Sequence, residues 1–304
     1  MPLRHDARRG ALMMLGATAC FAVMGALVKG LSPRYAFLEL MFFRNLFSLP
    51  IVLAVGLRAG ALLRTRRLAG HAGRAFTGMV AMACAFFSLT LLPLAEQTAL
   101  NYTQPLFVIL LAIPWLGERP GPARWAAVIM GFIGVLAIAA GQGASHGGEA
   151  AGPGPGIALG GAGLLVGYLV AALGGFFAAL STMLVRQLSA TEASATIVLW
   201  QSLMMTAMTG VALPFFWTTP SWPDLGLLVL IGLIGGMGQV LNTEAFASAQ
   251  VSSLGPYTYT GLLWAGILGW LVWGELPGVA MLAGSVLIVG AGFLILRSEF
   301  RRAR

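Results

Sequence analysis

An arginine lies near the middle of an apolar stretch. The segment Phe37–Val55 reads FLELMFFRNLFSLPIVLAV and carries Arg44, with Glu39 five residues earlier and Asn45 beside it. A guanidinium presents a planar fork of donors that suits a carboxylate or a phosphate. The same donors can instead bind backbone carbonyls freed where helices break, and the sequence leaves both roles open. Five residues turn a helix by about 140°, so Glu39 is not the obvious partner of Arg44.

Two short polar segments interrupt later apolar runs. The first holds Asn101, Tyr102, Thr103 and Gln104, followed by Pro105, and the second holds Pro256, Tyr257, Thr258, Tyr259 and Thr260. A proline in a helix frees a backbone carbonyl, and polar groups in lipid are costly unless they serve a purpose. Both segments are therefore predicted to line a binding site for a small molecule. Hydrogen bonding between helices is the alternative.

Aromatic and amide side chains add candidates for the same site. Tyr257, Gly261 and Trp264 fall at i, i+4 and i+7, so they are predicted to share one helical face. That face could stack on a ring-bearing ligand, with core packing as the alternative. Trp200 and Gln201 lie in the middle of another apolar run and are predicted to face the same site.

Acidic residues are scarce in the apolar runs. Glu39 and Glu244 are the candidates for binding a coupling proton, and a solvated helix end is the alternative for Glu244. Asn242 lies close to Glu244 in the sequence and is a further candidate ligand contact. Glu118 and Glu275 precede apolar runs and are each followed two residues later by proline, so both are interpreted as helix-capping residues.

No metal or nucleophile constellation can be assembled, and no cofactor is expected. The histidines are predicted to lie in tails or loops, and the cysteines are predicted to be buried small hydrophobes: His5, His71, His146, Cys20 and Cys84. An intramembrane enzyme would need such a constellation, so it is only a remote alternative. No nucleotide-binding loop of the G-x-x-x-x-G-K-[ST] type is present.

The composition excludes a soluble fold. The chain is 58% hydrophobic and 9% charged, with a mean hydropathy of +0.87, whereas soluble domains carry about 25% charged residues. An integral membrane protein in contact with lipid is therefore predicted. The net charge of +8 is placed in short loops and tails without interleaved aromatic residues, so it does not predict nucleic-acid binding.

Ten segments are long and apolar enough to cross a bilayer, which takes about 20 residues. They are 11–30, 36–57, 75–93, 96–116, 123–141, 162–185, 194–216, 225–247, 251–273 and 278–296. A Gly/Pro-rich linker, 142–161, follows the fifth. The fifth and tenth segments contain almost no polar residues, and their glycines are predicted to let helices approach closely.

The distribution of basic residues predicts the orientation. Fifteen of the 18 Lys and Arg residues fall on one side if both termini share a compartment, and Arg74 is counted there as a loop residue. Lys29 and Arg34 fall on the other side. Basic loops stay in the cytoplasm, so both termini are predicted to be cytoplasmic and the linker periplasmic. Short loops and a ratio of 17 Arg to 1 Lys favour a prokaryotic inner membrane.

One ungapped offset of 157 residues aligns several segments. It places GERPG (117–121) on GELPG (274–278), Gly78 on Gly235, and Tyr102 on Tyr259. It also places Arg44 on Gln201, so the charge of Arg44 is not duplicated. Each half contains five predicted spans, and an odd number gives the second half the opposite orientation. The predicted fold is all-α, with ten transmembrane helices as two inverted-topology five-helix repeats, 1–141 and 162–304.

The duplicated five-plus-five helices, the GE turns after spans four and nine, and LGPYTYTGLLWAGILGWLVWGELP (254–277) resemble the drug/metabolite transporter superfamily, in its EamA-type branch. The resemblance covers nearly the whole chain. It implies a central cavity that carries small organic solutes, with spans five and ten at the periphery. It does not imply a particular solute.

The resulting expectation is a secondary transporter that works by alternating access, as a monomer or homodimer. Arg44 and the Tyr and Trp residues favour an aromatic or amphipathic solute with an anionic group. Export is favoured because many family members export. The alternative is an importer of a cofactor-like solute, such as a flavin or a nucleoside-like compound.

Overall fold

The structure is a computed structural model that describes residues 7–58, 65–116, 121–145, 163–189, 191–192, 194–248, 254 and 257–302. Within these residues the fold is helical, without strands. The helices are α1 (Ala7–Leu31), α2 (Phe37–Arg58), α3 (Leu68–Leu89), α4 (Leu94–Asn101), α5 (Gln104–Leu116), α6 (Pro122–Ser145), α7 (Gly163–Ser189), α8 (Ser194–Ala212), a 3₁₀ turn (Leu213–Phe215), α9 (Trp222–Ser248), α10 (Thr260–Trp273) and α11 (Val279–Arg302).

Six of the described helices are long and apolar enough to cross a membrane, namely α1, α2, α3, α7, α8 and α9. Helices α6, α10 and α11 contribute shorter apolar segments of 10–17 residues. Large apolar side chains such as Ile133, Leu169 and Val286 lie exposed on the outside of the bundle. An exposed apolar surface of this kind is matched by hydrocarbon, so the architecture is that of a multi-pass membrane protein.

The start of α3 differs from the prediction. The sequence predicted a span from residue 75, whereas α3 begins at Leu68, so Arg74 and His71 lie within a helix and not in a loop. The predicted span 96–116 is interrupted at Tyr102 and Thr103, which separate α4 from α5. A turn at Tyr259 likewise precedes α10. Glu118 and residues 146–162, which cover most of the predicted linker, lie outside the described residues.

Helices α6 and α11 pack against each other. At their crossing, a Cβ atom on Gly284 would lie 2.5 Å from the backbone oxygen of Gly134, and one on Gly134 would lie 2.7 Å from that of Gly284. The two backbones are thus in direct contact, which only glycine permits. The prediction that glycines of the fifth and tenth segments allow close packing is confirmed for Gly134 and Gly284.

Polar contacts tie helix connections to distant helices at both ends of the bundle. At one end, Arg34 Nη1 donates to Asp224 Oδ1 at 2.7 Å, and the Tyr35 hydroxyl donates to Asp224 Oδ2 at 2.8 Å. Burial and the hydrogen bond to Asp224 raise the pKa of Tyr35, so its hydroxyl stays protonated as a donor. These contacts attach the α1–α2 connection to the start of α9. This end also contains Lys29 and is called the Lys29 end below.

At the opposite end, called the Arg67 end, the connection between α7 and α8 is attached to the start of α3. Arg67 Nη1 donates to the backbone oxygen of Gln187 at 2.9 Å and to Thr191 Oγ1 at 3.3 Å. The Thr65 hydroxyl donates to Glu192 Oε1 at 2.6 Å. Accordingly, α1 packs on α9 and α10, whereas α3 packs on α7 and α8.

Candidate binding site

A large cavity of about 300 Å³ lies between α1, α3, α4, α9 and α10. Apolar side chains cover most of its wall, among them Phe21, Met24 and Phe86. The polar residues that line it are Thr18, Gln97, Thr98, Asn101, Tyr102, Asn242 and Thr258. A mostly apolar wall with a few polar groups is typical of a pocket for a small organic molecule, and the volume is at the lower limit for such pockets.

The break between α4 and α5 shapes one wall of the large cavity. The Tyr102 hydroxyl donates to the backbone oxygen of Thr258 at 2.9 Å and so bridges the two polar segments predicted from the sequence. Gly261 provides the space for that hydroxyl, since a Cβ atom there would lie 2.6 Å from it. The Tyr102 and Tyr259 rings meet edge to face, with centroids 4.9 Å apart. The two aligned tyrosines therefore form one contact.

Two amides of α4 complete the polar lining. Gln97 is buried, and its Nε2 has no hydrogen-bond partner among the described residues. Asn101, at the end of α4, also lines the large cavity, and in contrast to Gln97 it is exposed. A buried amide donor without a partner costs free energy, so a ligand that accepts a hydrogen bond from Gln97 would remove that cost. Sequence reasoning missed Gln97, Thr98 and Thr18.

A small cavity of about 60 Å³ lies between α2, α3, α8 and α9. Arg44, Asn45 and Ser48 line it from α2, Gln201 from α8, and Gln239 from α9. Met24 lies between the two cavities. It lines the large one, and a Cβ atom on Gly235 would lie 2.8 Å from Met24 Sδ and 3.2 Å from Arg44 Nε. The two cavities are thus neighbours around Gly235.

Arg44 points into the bundle. Its Nη1 donates to Asn45 Oδ1 at 3.1 Å, and its Nε is buried without a hydrogen-bond partner in the part of the chain that the structure describes. Glu39 makes no ion pair with it there, as the helical spacing predicts. Arg44 therefore retains donor capacity beside a cavity.

Arg74 is a second arginine among the membrane helices, and sequence reasoning missed it. Its Nη2 donates to Gln201 Oε1 at 2.9 Å, and its Nη1 donates to Ser181 Oγ. His71, one turn earlier, is fully buried and its ring lies 5.9 Å from that of Trp200. A usable signal was present, because residues 68–74 contain no proline and can continue the helix.

Five of the predicted site residues line neither cavity. Tyr259 packs against Tyr102 and Phe293, with ring centroids 4.9 and 5.9 Å away. Gln104 donates to Thr182 Oγ1 at 2.8 Å, a contact between helices. Trp200 packs near His71, and its indole nitrogen is buried without a partner among the described residues. Tyr257 and Trp264 are each 38% exposed. The turn at Tyr259 breaks the continuous helix on which their shared face depended, and only Gly261 of that group lines the large cavity.

The two acidic candidates lie far apart. Glu39, at the start of α2, is fully buried at the Lys29 end. Its Oε2 accepts from the backbone N–H of Thr218 at 3.3 Å, and its Oε1 has no hydrogen-bond partner within the described residues. Glu244 is half-buried in the last turns of α9, two residues from Asn242.

Glu275 caps a helix, although not the one predicted. Its Oε2 accepts from the backbone N–H of Leu94, the first residue of α4, at 3.0 Å, and its Oε1 pairs with Lys29 Nζ. Lys29 Nζ also donates to the backbone oxygen of Leu92 at 3.1 Å and lies 5.1 Å from the centroid of a Trp273 ring. The N-terminus of α4 is therefore held by residues from α1 and the α10–α11 connection.

Comparison with known proteins gives one family over both parts of the chain. The model of the EamA-like transporter family matches residues 8–140 and again residues 165–297. A solved crystal structure superimposes with a TM-score of 0.62 over 96% of both chains at 20% identity, which shows a common fold.

The relatives carry different solutes in different directions. A riboflavin transporter of Rhizobium johnstonii is 32% identical over 97% of this chain and 93% of its own. A pseudopaline exporter of Pseudomonas aeruginosa is 29% identical, with 96% and 97% covered. An S-adenosylmethionine uptake transporter of Rickettsia bellii is 26% identical, with 89% and 87% covered.

Proposed function

The chain belongs to the EamA-like transporter family, and from that premise we propose that it is a secondary transporter, working as an exporter, of a small aromatic or amphipathic solute with an anionic group. It is a transporter and not an enzyme, since the family and the relatives are transporters. The observation that carries the proposal is the large cavity, which residues from both matched ranges line, such as Asn101 and Asn242.

A second candidate function is the import of a cofactor-like solute. The 32% identical relative is named as a riboflavin transporter, and another relative as an uptake transporter. A flavin or a nucleoside-like compound offers a ring to Tyr102 and polar atoms to Gln97 and Asn101, all of which line the large cavity. The direction of transport separates this candidate from the first.

We propose ten membrane spans arranged as two inverted five-helix repeats, 1–141 and 162–304. The two family matches start 157 residues apart, at the offset that aligns the sequence with itself. Contacts repeat at this offset. Arg44 lies against Gly235, and Gln201 lies against Gly78. The offset of 157 places Arg44 on Gln201 and Gly78 on Gly235, so one contact is the repeat of the other. The pair Arg34–Asp224 corresponds in the same way to Thr191–Arg67.

The proposed mechanism is alternating access by two helix groups that each mix both repeats. The contacts at the Lys29 end join α1 and α2 to α9, and those at the Arg67 end join α7 and α8 to α3. Helices joined in this way move together, so the proposed rocking units are α1, α2, α9 and α10 on one side and α3, α4, α5, α7 and α8 on the other. The contacts of Lys29 and Glu275 with Leu92 and Leu94 cross between these units, so in this proposal they break when the Lys29 end opens. Both cavities lie where these units meet.

The chain is a multi-pass protein of the inner membrane, and both termini are proposed to be cytoplasmic. This orientation puts Lys29, Asp224 and Glu275 on the periplasmic side and Arg67 on the cytoplasmic side, in keeping with the excess of basic residues there. The protein works as a monomer or homodimer in this proposal. Labelling of single cysteines introduced at positions 34 and 66 by an impermeant reagent on intact cells tests the orientation, and labelling of position 66 alone would overturn it.

The transport proposal is tested by filling the large cavity. Thr98 lines the wall of the large cavity, and Thr98→Phe adds a ring there. We expect flux into liposomes to fall at least about tenfold, because the ring occupies volume that the solute needs. The solutes supplied are riboflavin, S-adenosylmethionine, aromatic amino acids, and neutral and cationic compounds of similar size. Gly266→Ala is the matched control, since a Cβ atom there meets nothing within 4 Å. Flux that equals that of empty liposomes for every solute would contradict the proposal.

Glu39 is proposed as the proton-coupling group, with Glu244 as the second candidate. Glu39 is fully buried, and one of its carboxylate oxygens has no hydrogen-bond partner in the described part of the chain. The ionised form is costly in such a place, so Glu39 can bind a proton when its end of the bundle is closed. Glu39→Gln keeps an acceptor for the Thr218 N–H. We expect it to abolish flux driven by a pH gradient while solute exchange continues, and Glu244→Gln is the matched comparison. Gradient-driven flux that survives Glu39→Gln would remove this role.

A further inference from the structure

The small cavity contains donors and no carboxylate. Its lining includes Arg44, Asn45, Ser48, Gln201 and Gln239, and no Asp or Glu is among the described residues that form it. Its volume of about 60 Å³ is that of roughly two water molecules at about 30 Å³ each. A space of this size takes one carboxylate group, whereas a whole metabolite does not fit.

Two arginines orient the two amides that flank this cavity. Arg44 donates to Asn45 Oδ1 at 3.1 Å, and Arg74 donates to Gln201 Oε1 at 2.9 Å. Each guanidinium needs an acceptor, so it turns the oxygen of its amide toward itself. The NH₂ group of each amide is consequently directed away from the arginine, and the arginines fix an orientation that an isolated amide would leave open.

Among the described residues, the NH₂ groups that result have only sulfur as a partner. Asn45 Nδ2 lies 3.9 Å from Met82 Sδ, and Gln201 Nε2 lies 3.4 Å from Met205 Sδ. A thioether is a weak acceptor. Both methionines line the small cavity, so the amide donors meet at the same space as the guanidinium of Arg44. Arg44 Nε adds a buried donor without a partner among the described residues.

We propose that the small cavity is a carboxylate-binding site, in which Arg44, Asn45 and Gln201 bind the anionic group of the solute. Carboxylate oxygens accept several hydrogen bonds at once and would neutralise the Arg44 guanidinium, which has no acidic partner among the residues that the structure describes. Arg74 acts as a positioning residue, because it holds Gln201 with its NH₂ group toward the cavity. The inference rests on the proposed function, which it deepens by separating the anionic group from the body of the solute.

The rest of the solute occupies the large cavity. Met24 lines that cavity and lies beside Arg44 around Gly235. Methionine is unbranched and adapts its shape readily, so rotation of Met24 joins the two cavities. A solute that spans both places its carboxylate at Arg44 and its apolar or aromatic part near Phe21 and Phe86.

Matched pairs of small probes test the site. Purified protein in detergent is titrated with benzoate and benzamide, nicotinate and nicotinamide, and indole-3-acetate and indole-3-acetamide, and the shift in melting temperature is converted to an apparent Kd. We expect at least one carboxylate to bind about tenfold or more tightly than its amide. If no carboxylate of the three pairs is preferred, the proposal is overturned.

Three variants assign the preference to residues. Arg44→Gln and the isosteric Gln201→Glu should each abolish the preference for carboxylate, the second because the introduced carboxylate would pair with Arg74 and repel an anion. Arg74→Gln removes no cavity-lining group, and it should reduce the preference to about threefold while amide binding stays unchanged. Arg58→Gln, an exposed arginine on the same helix as Arg44, is the charge-matched control. A preference that survives both Arg44→Gln and Gln201→Glu would overturn the proposal.

Misfolding and failure of the transport proposal give different results. A variant that unfolds has a lower melting temperature without any ligand and elutes as aggregate, and Gly78→Ala then serves in its place. It keeps every charge but puts a methyl group 2.9 Å from Arg74 Nη1 and 3.4 Å from Gln201 Nε2, so it should also reduce the preference. Flux of neutral or cationic solutes without any carboxylate preference would overturn the anion site alone and leave the transporter intact.

Discussion

Replacing Glu275 by alanine is expected to lower the free energy of unfolding by about 2–4 kcal/mol. The substitution leaves Lys29 without its ion pair and removes the acceptor for the first N–H of α4. The side chains of Lys29 and Glu275 are only 15% and 21% exposed, so water replaces these contacts incompletely. The measurement is a denaturant titration of purified protein in detergent micelles, followed by helical circular dichroism.

A double-mutant cycle separates the ion pair from the cap. Glu275→Gln keeps an oxygen for the Leu94 N–H but loses the charge, so it should cost less than Glu275→Ala. The cycle uses Lys29→Met, Glu275→Gln and the double variant, which removes both charges together. The double variant should be more stable than Glu275→Ala, in which the charge of Lys29 has no partner. Strict additivity of the two single changes would show that Lys29 and Glu275 do not interact.

Replacing Gly284 by alanine is expected to cost about 2 kcal/mol, despite the better helix propensity of alanine. The new Cβ atom would lie 2.5 Å from the backbone oxygen of Gly134 and 2.5 Å from Ile138 Cγ1. A backbone atom cannot rotate away as a side chain can, so α6 and α11 must separate along their shared face. The melting temperature in detergent, compared with that of the unmodified protein, measures this effect.

Gly290 supplies the matched control on the same helix. A Cβ atom there would lie 3.4 Å from Met130 Cε, the end of a flexible side chain. Gly290→Ala should therefore leave the melting temperature unchanged or slightly raised. Equal losses at Gly284 and Gly290 would show that helix propensity, and not the crossing with Gly134, controls stability at these positions.

The sequence predicted the parts of the fold that depend on apolar length. A membrane-embedded helical architecture follows from hydropathy alone. The polar segments near Tyr102 and Tyr259 stood out in the sequence, but the spans were predicted to continue through them, whereas the structure has a turn in each. Arg44 stood out because a charge in lipid is costly. Hydropathy could not find the start of α3, because His71 and Arg74 are polar. Arg74 is accommodated by residues far along the chain, Ser181 and Gln201.

The composition of the candidate site was harder to predict for a related reason. A polar side chain on a membrane helix can line a cavity or satisfy a neighbouring helix, and the sequence does not distinguish these outcomes. Gln104 binds Thr182, whereas Gln97 keeps a free donor in the large cavity, within the part of the chain that the structure describes. The difference depends on which face of each helix meets which neighbour, and that is set by contacts between residues more than 70 positions apart.

The attachment of α3 to α7 and α8 has a consequence for biosynthesis. Ser181 and Gln201 follow Arg74 by 107 and 127 residues, and at about 5–20 residues per second a ribosome needs roughly 5–25 s to produce them. During that interval the Arg74 guanidinium lacks the two hydrogen-bond partners that it has in the folded protein. We therefore expect that α1–α6 do not form a stable unit by themselves, and that the nascent chain depends on its surroundings until the second half is made.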